Sequence, residues 1–174
     1  IMYGMGKGKL ADQLGVDVDE ASDILMRFNT YAPFVRQMAD TVMRSATTRG
    51  YIKTLLGRRC HFDMWEPRQY GTGRPLKYKE AMHEYNGDIK RAFVYKALNK
   101  LIQGSAADMT KKAMLDCYNA SYAPLLQVHD ELVFSVSDKR EVEEIAEIME
   151  NAVKLEVPNK VDAELGKNWG DSMT

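Results

Sequence analysis

Cysteine is scarce: Cys60 and Cys117 are the only two in 174 residues. Their spacing fits neither a zinc site nor a disulfide framework, so a reducing compartment is the expected setting. Long apolar runs are missing as well. None approaches the roughly 18 residues of a membrane span, and no membrane partner is expected. Repeats and low-complexity tracts are absent, and the composition excludes a collagen-like or disordered chain. Position 1 is Ile1 rather than methionine, and Ile1, Met2, Tyr3 and Gly4 carry no helix cap. They read as the end of an element that begins earlier. The chain is therefore expected to be a piece of a longer protein, in which a targeting signal would not be visible.

What is present is an ordinary globular composition, 45% apolar and 28% charged, long enough for a core without staples. The formal charge of −1 conceals a polarity. Residues 1–115 hold 19 Lys and Arg against 12 Asp and Glu, a balance of +7; residues 116–174 hold 5 against 13, a balance of −8. A basic portion joined to an acidic one suggests contact with a polyanion on one surface only. A chance distribution of solvated charge is the plain alternative.

Periodicity and breakers predict an α+β fold, an antiparallel sheet covered by helices. A short helix over 7–14 ends at Gly15. Asp17 or Asp19 caps the next, whose apolar positions are Ala21, Ile24, Leu25, Phe28 and Tyr31. Pro33 opens a third helix with a buried stripe of Phe34, Val35, Met38, Val42 and Met43, stopped at Gly50. Tyr51–Leu55 and Cys60–Phe62 read as strands around Gly57-Arg58-Arg59, and 63–79 as a loop. Helix returns from about Asn86 to Asn119, with an irregularity expected near Gly104. Leu125–Val128 and Leu132–Val136 form a strand–turn–strand unit. Asp138 and Glu141 have capping-box spacing before a helix to about Leu155. Val161, Ala163 and Leu165 alternate as a last strand.

Three features could carry chemistry. Gln127-Val128-His129-Asp130-Glu131-Leu132-Val133-Phe134 places two adjacent carboxylates at a tight turn. Ionised groups cannot be buried there unpaired, and an exposed, rigid pair suits a hard cation such as Mg2+. One pair is not a complete site, and from spacing alone a simple polar turn is the favoured reading. Second, Arg91, Tyr95, Asn99 and Gln103 recur at four-residue spacing, with Lys96 and Lys100 alongside. Amides fit minor-groove acceptors while lysines meet phosphates; a solvated helix face is the other reading. Gly104-Ser105-Ala106-Ala107 follows, small enough for close approach. Third, residues 47–60 hold Arg49, Lys53, Arg58 and Arg59 and no acid, which suits phosphate contact or a protected sheet edge.

Taken together, these segments resemble the C-terminal polymerase region of family A DNA polymerases, the DNA polymerase I type. Ile1-Met2-Tyr3-Gly4 is similar to the end of the fingers helix. Thr54-Leu55-Leu56-Gly57-Arg58-Arg59 is similar to the family's hairpin. Asn99 through Gln103-Gly104-Ser105-Ala106-Ala107-Asp108 resembles its long palm helix, and Gln127 through Leu132 its catalytic motif C. Val161-Asp162 and Gly166-Lys167-Asn168-Trp169 resemble its C-terminus.

The resemblance implies a partial fingers region over 1–50 and the C-terminal part of the palm over 51–174. It implies template-directed transfer of a nucleotide from a dNTP to a primer 3′-hydroxyl, with two Mg2+ ions roughly 3.5–4 Å apart. Asp130 would be a catalytic metal ligand and Glu131 a neighbouring catalytic carboxylate. His129, Gln103 and Asn99 would face primer–template DNA, with Tyr95, Lys96, Arg58 and Arg59 as further DNA contacts. Tyr3 would lie at the nucleotide pocket. The family often has arginine where Tyr95 stands, and Lys96 would partly replace it. The other catalytic aspartate and the triphosphate-holding arginine and lysine lie upstream of this stretch in the family. Activity is therefore expected only with an N-terminal complement, on the same or a separate chain, in a bacterial or virus-infected cytoplasm. A non-catalytic DNA-binding or assembly module of polymerase descent is the alternative.

Overall fold

The computed structural model describes residues 5–69, 71 and 73–173. They separate into two compact units, meeting in sequence at Gln103–Gly104. The fold is α+β, with small antiparallel sheets among helices, as expected.

The first unit opens with α1 (Lys7–Leu14), α2 (Val18–Tyr31) and α3 (Pro33–Arg49). Local rules set their ends. Gly15 takes φ 67 and returns its N–H to the Ala11 carbonyl. The Asp17 carboxylate accepts from the N–H groups of Asp19 and Glu20 at 2.9 and 2.8 Å, satisfying two otherwise orphaned donors. Leu10, Ala11 and Ala21 form a small core with Met5, Val16, Ile24 and Leu25 around it. The expected stripe on α2 and α3 is only partly inward. Tyr31 and Phe34 are 85% and 64% exposed, and Met38 is exposed too. The inward face of α3 is its C-terminal half, where Val42, Met43 and Ala46 meet Ile52, Phe62 and Ala97.

That second core lies under β1 (Tyr51–Lys53) and β2 (Arg59–His61), an antiparallel hairpin paired Tyr51 to His61, Ile52 to Cys60 and Lys53 to Arg59. Residues 63–79, expected as a loop, instead contain β3 (Met64–Pro67) and β4 (Leu76–Lys77), followed by α4 (Tyr78–Glu84). β3 is the middle of a three-stranded sheet flanked by β4 and by β5 (Ile89–Arg91). The helix expected from Asn86 therefore starts later. Lys90 and Arg91 pair with Glu66 and Trp65 of β3, and this ladder overrides the local helical spacing. Phe93 turns the chain at φ 61 into a short 3-10 helix, Val94–Lys96, and α5 (Ala97–Asn119) begins only after it. Arg91 consequently does not share a helix face with Tyr95, Asn99 and Gln103.

Arg91 has a different task. Its Nε donates to the Thr47 carbonyl at 3.1 Å and its Nη1 to the Phe62 carbonyl at 2.9 Å. Its guanidinium also lies 4.5 Å from the centre of the Trp65 ring, a cation–π contact. Gly50, the C-cap of α3 at φ 77, leaves the necessary space: a Cβ there would sit 2.7 Å from Arg91 Cζ.

The second unit holds the rest of α5, a hairpin of β6 (Leu126–Val128) and β7 (Glu131–Val133), α6 (Lys139–Asn151) and a terminal 3-10 helix, Trp169–Met173. α5 runs unbroken through Gly104, contrary to the expected irregularity. It ends with Ser121 at φ 75 and the Tyr122 N–H on the Cys117 carbonyl, a Schellman-type ending without glycine. Burial, and next the Asp116 carboxylate, push the Cys117 thiol up from 9.0, which keeps it protonated and unreactive. Asp138 caps α6 through the N–H groups of Arg140 and Glu141. Glu141 reaches back to the Ser137 N–H at 2.6 Å, one residue earlier than a standard capping box. Residues 161–165 are not a strand: the Val161 N–H donates to the Glu150 carboxylate at 3.1 Å, and alternation without a ladder partner does not make one. Among the described residues no helix is long and apolar enough to cross a membrane.

Gly50→Ala should destabilise the chain by about 2–4 kcal/mol, through the left-handed backbone and displacement of a pinned Arg91. Urea unfolding followed by circular dichroism measures this. A loss below about 1 kcal/mol would mean that Arg91 gives way freely.

Candidate functional site

Two sets of the expected residues occur, one in each unit. In the second, β6 and β7 pair Leu126 to Val133, Gln127 to Leu132 and Val128 to Glu131. The Leu125 N–H adds a bond to the Val133 carbonyl at 2.8 Å. This register leaves His129 and Asp130 as a two-residue turn. His129 takes φ 54, a left-handed conformation that His tolerates better than most residues. The Gln127 side-chain amide donates to the His129 carbonyl at 3.1 Å and braces the turn. His129, Asp130 and Glu131 are all exposed, so their carboxylates are solvated and available as oxygen donors.

Asp130 also edges a cavity of about 220 Å3. α5 contributes Ala106, Met109, Thr110 and Ala113, and α6 contributes Met149. Asn159 and Lys160 line it as well, brought there by the Glu150 carboxylate, which holds Lys160 at 3.7 Å and the Val161 N–H. Sequence reasoning passed over Asn159 and Lys160 because it assigned the following residues to a strand. The one available signal was an acid at the end of α6 and a lysine beyond a proline turn. Asp108, on the same helix as the small-residue run, is buried and engaged by a neighbour.

The hairpin is tethered from behind. The Tyr122 hydroxyl, in the link before β6, donates to the Glu144 carboxylate of α6. That hydrogen bond, helped by lesser burial and by the charges of Glu144, Glu141 and Asp138, pushes the Tyr122 phenol up to about 12.

In the first unit, Tyr95 and Lys96 lie on the 3-10 helix, and Asn99, Lys100 and Gln103 on the first turns of α5; all five side chains are exposed. Ala97 and Leu98 are buried opposite them. Lys96 Nζ lies 5.0 Å from the Phe93 ring centre and 5.6 Å from that of Tyr95. Lys100 Nζ lies 4.7 Å from the centre of the Phe62 ring, so this surface and the β1–β2 hairpin are joined through one core. Arg58 and Arg59 are exposed on that hairpin. Tyr3 lies outside the described residues. Among the described residues no group of three or more His, Cys, Asp or Glu is gathered for a metal. Asp130 and Glu131 fit a hard cation in donor type, as part of a ligand set.

Stability drawn from the Tyr122–Glu144 bond should be present below pH 10.0, the ordinary phenol value, and disappear as pH rises through about 12. Chemical unfolding of the parent chain and of Tyr122→Phe between pH 9 and 12 tests this. The two curves should converge at the alkaline end; a constant gap would refute the assignment.

Comparison with known proteins gives a consistent picture. The model of DNA polymerase family A matches residues 1–171. The chain is 40% identical over 154 residues to a DNA-directed DNA polymerase of Pseudomonas phage M6, covering 88% of this chain and 20% of that protein. It is 34% identical over 182 residues to DNA polymerase I of Geobacillus stearothermophilus, covering 99% and 19%. Among solved structures, the POL domain of Pol1 from M. smegmatis, in complex with DNA primer-template and dNTP, matches with a TM-score of 0.75 and 32% identity. That match covers 99% of this chain and 29% of the other. The chain thus spans about a fifth of the length of these curated relatives.

Proposed function

The chain belongs to DNA polymerase family A, and from that premise we propose that it forms the C-terminal part of a template-directed DNA polymerase. Residues 1–50 are read as part of the fingers and 51–174 as the C-terminal part of the palm. The substrates are primer–template DNA and a dNTP. The observation that carries the reading is the β6–β7 turn, which presents Asp130 and Glu131, exposed and adjacent, on a braced backbone.

Two carboxylates alone repel a triphosphate, so an anionic substrate approaches Asp130 only across a cation. Mg2+ bound there would neutralise phosphate charge and acidify the primer 3′-hydroxyl. Asp130 is the ligand proposed for it and Glu131 the neighbouring acid. Because a hairpin pair is an incomplete octahedral set, a further carboxylate from the remainder of the polymerase is assigned to the same site. His129, one residue before Asp130, is read as a contact at the primer end. Asn99 and Gln103 present amides that donate to minor-groove acceptors. Lys96, Arg58 and Arg59 supply phosphate contacts, and Tyr95 an aromatic surface beside Lys96. Tyr3 is assigned to the nucleotide pocket.

Asp130→Asn, in the polymerase completed by its upstream segment, should lower primer extension by ~10³-fold, about 4 kcal/mol. Primer–template affinity should stay within about twofold. Turnover near that of the parent enzyme would remove Asp130 from the metal site.

A further inference from the structure

The turn that carries Asp130 is held in a form that its residues do not favour. His129 and Asp130 connect β6 to β7, because Val128 and Glu131 are register partners. His129 stands at φ 54, where a side chain crowds the backbone. Both residues are exposed, so burial does little to hold them there. The peptide between them is the soft point. Its carbonyl belongs to His129 and its N–H to Asp130. The unit is planar and turns as one piece, so its rotation changes the φ of Asp130 and the direction in which the carboxylate points. The Gln127 side-chain amide donates to this carbonyl at 3.1 Å. Among the described residues no other side-chain hydrogen bond reaches the turn.

We propose that Gln127 is the positioning residue of the cation site: its amide fixes the peptide before Asp130 and so sets the affinity of that carboxylate for Mg2+. This rests on the reading of Asp130 as a metal ligand and adds the residue that aims it. Chemistry narrows what can perform the task. The partner is a carbonyl oxygen, so a donor is required. Lysine or arginine would donate, but its charge would oppose a cation held at a carboxylate so close by. An ionised Glu only accepts, and would face the carbonyl with a like partial charge. A neutral amide donates and leaves the charge of the Asp130–Glu131 pair as it is. Octahedral Mg2+ demands near-ideal ligand directions, so a carboxylate that samples several of them binds it less tightly. Gln127 is itself exposed, and water competes for its hydrogen bond. One neutral bond of that kind has a graded effect on binding rather than an all-or-none one.

The test uses the polymerase completed by its upstream segment, with primer–template DNA bound. It compares the parent with Gln127→Met, which keeps the length of the side chain and loses the donor. Mn2+ is the probe, and electron paramagnetic resonance reads its binding without turnover. The binding that Asp130→Asn removes defines the site. Gln127→Met should weaken Mn2+ there about fivefold and raise the Mg2+ concentration for half-maximal extension by a similar factor. The extension rate at saturating Mg2+ should stay within about twofold of the parent, and the urea midpoint should not move. Unchanged Mn2+ affinity in Gln127→Met overturns the assignment, as does a slower rate that excess Mg2+ does not restore. So does a lowered urea midpoint with both metal readouts intact, which would make Gln127 a purely structural residue. The two readings fail separately. If Asp130→Asn binds Mn2+ as the parent does, the metal-ligand reading falls and the role of Gln127 falls with it. If Asp130→Asn loses Mn2+ and Gln127→Met retains it, only the role of Gln127 is withdrawn.

Discussion

The guanidinium of Arg91 donates to the Thr47 carbonyl, in the last turn of α3, and to the Phe62 carbonyl, just beyond β2. A cation suits the negative end of a helix, which is where Thr47 lies. The same group lies on Trp65 of the neighbouring sheet. One side chain thus sets helix, hairpin and sheet at fixed spacing, six residues before α5 begins. The exposed face of α5 inherits its position from that joint, because Ala97 and Leu101 enter the same core as Ile52 and Phe62. Gly50 belongs to the arrangement by having no side chain.

The elements legible in advance were those set by neighbours in sequence. Gly15, Asp17, Pro33, Gly50 and Asp138 each act within a turn of where they stand, and both hairpins announce themselves by apolar strands around a short polar or glycine-containing turn. The misreadings involve distant partners. β3 and β4 contain a proline and lie among glycines, and only pairing across the sheet makes them strands. Arg91 has helical spacing relative to Tyr95, but its ladder partner is Trp65. Residues 161–165 alternate as a strand does, yet the Glu150 carboxylate captures the Val161 N–H. Phe34 and Met38 fit a helical stripe, yet among the described residues both side chains lie exposed.

The candidate site was legible to a similar degree. The exposed carboxylates at the β6–β7 turn and the exposed amides on α5 follow from spacing, and the structure bears out their exposure. Their supports did not follow. The Gln127 amide on the His129 carbonyl, the Tyr122 hydroxyl on Glu144 and the Glu150 carboxylate behind Lys160 are all contacts between a side chain and a group fixed by the fold. A motif shows which atoms face outward; the packing behind it shows how firmly they are held.

The left-handed backbone at position 129 has a consequence for variation. Glycine, Asn, Asp and His adopt that geometry at modest cost, while β-branched side chains resist it. The turn therefore filters its own occupants before any chemistry acts on them. Within that short menu only histidine sets an imidazole beside Asp130, so backbone shape narrows the alphabet next to the acid to very few letters.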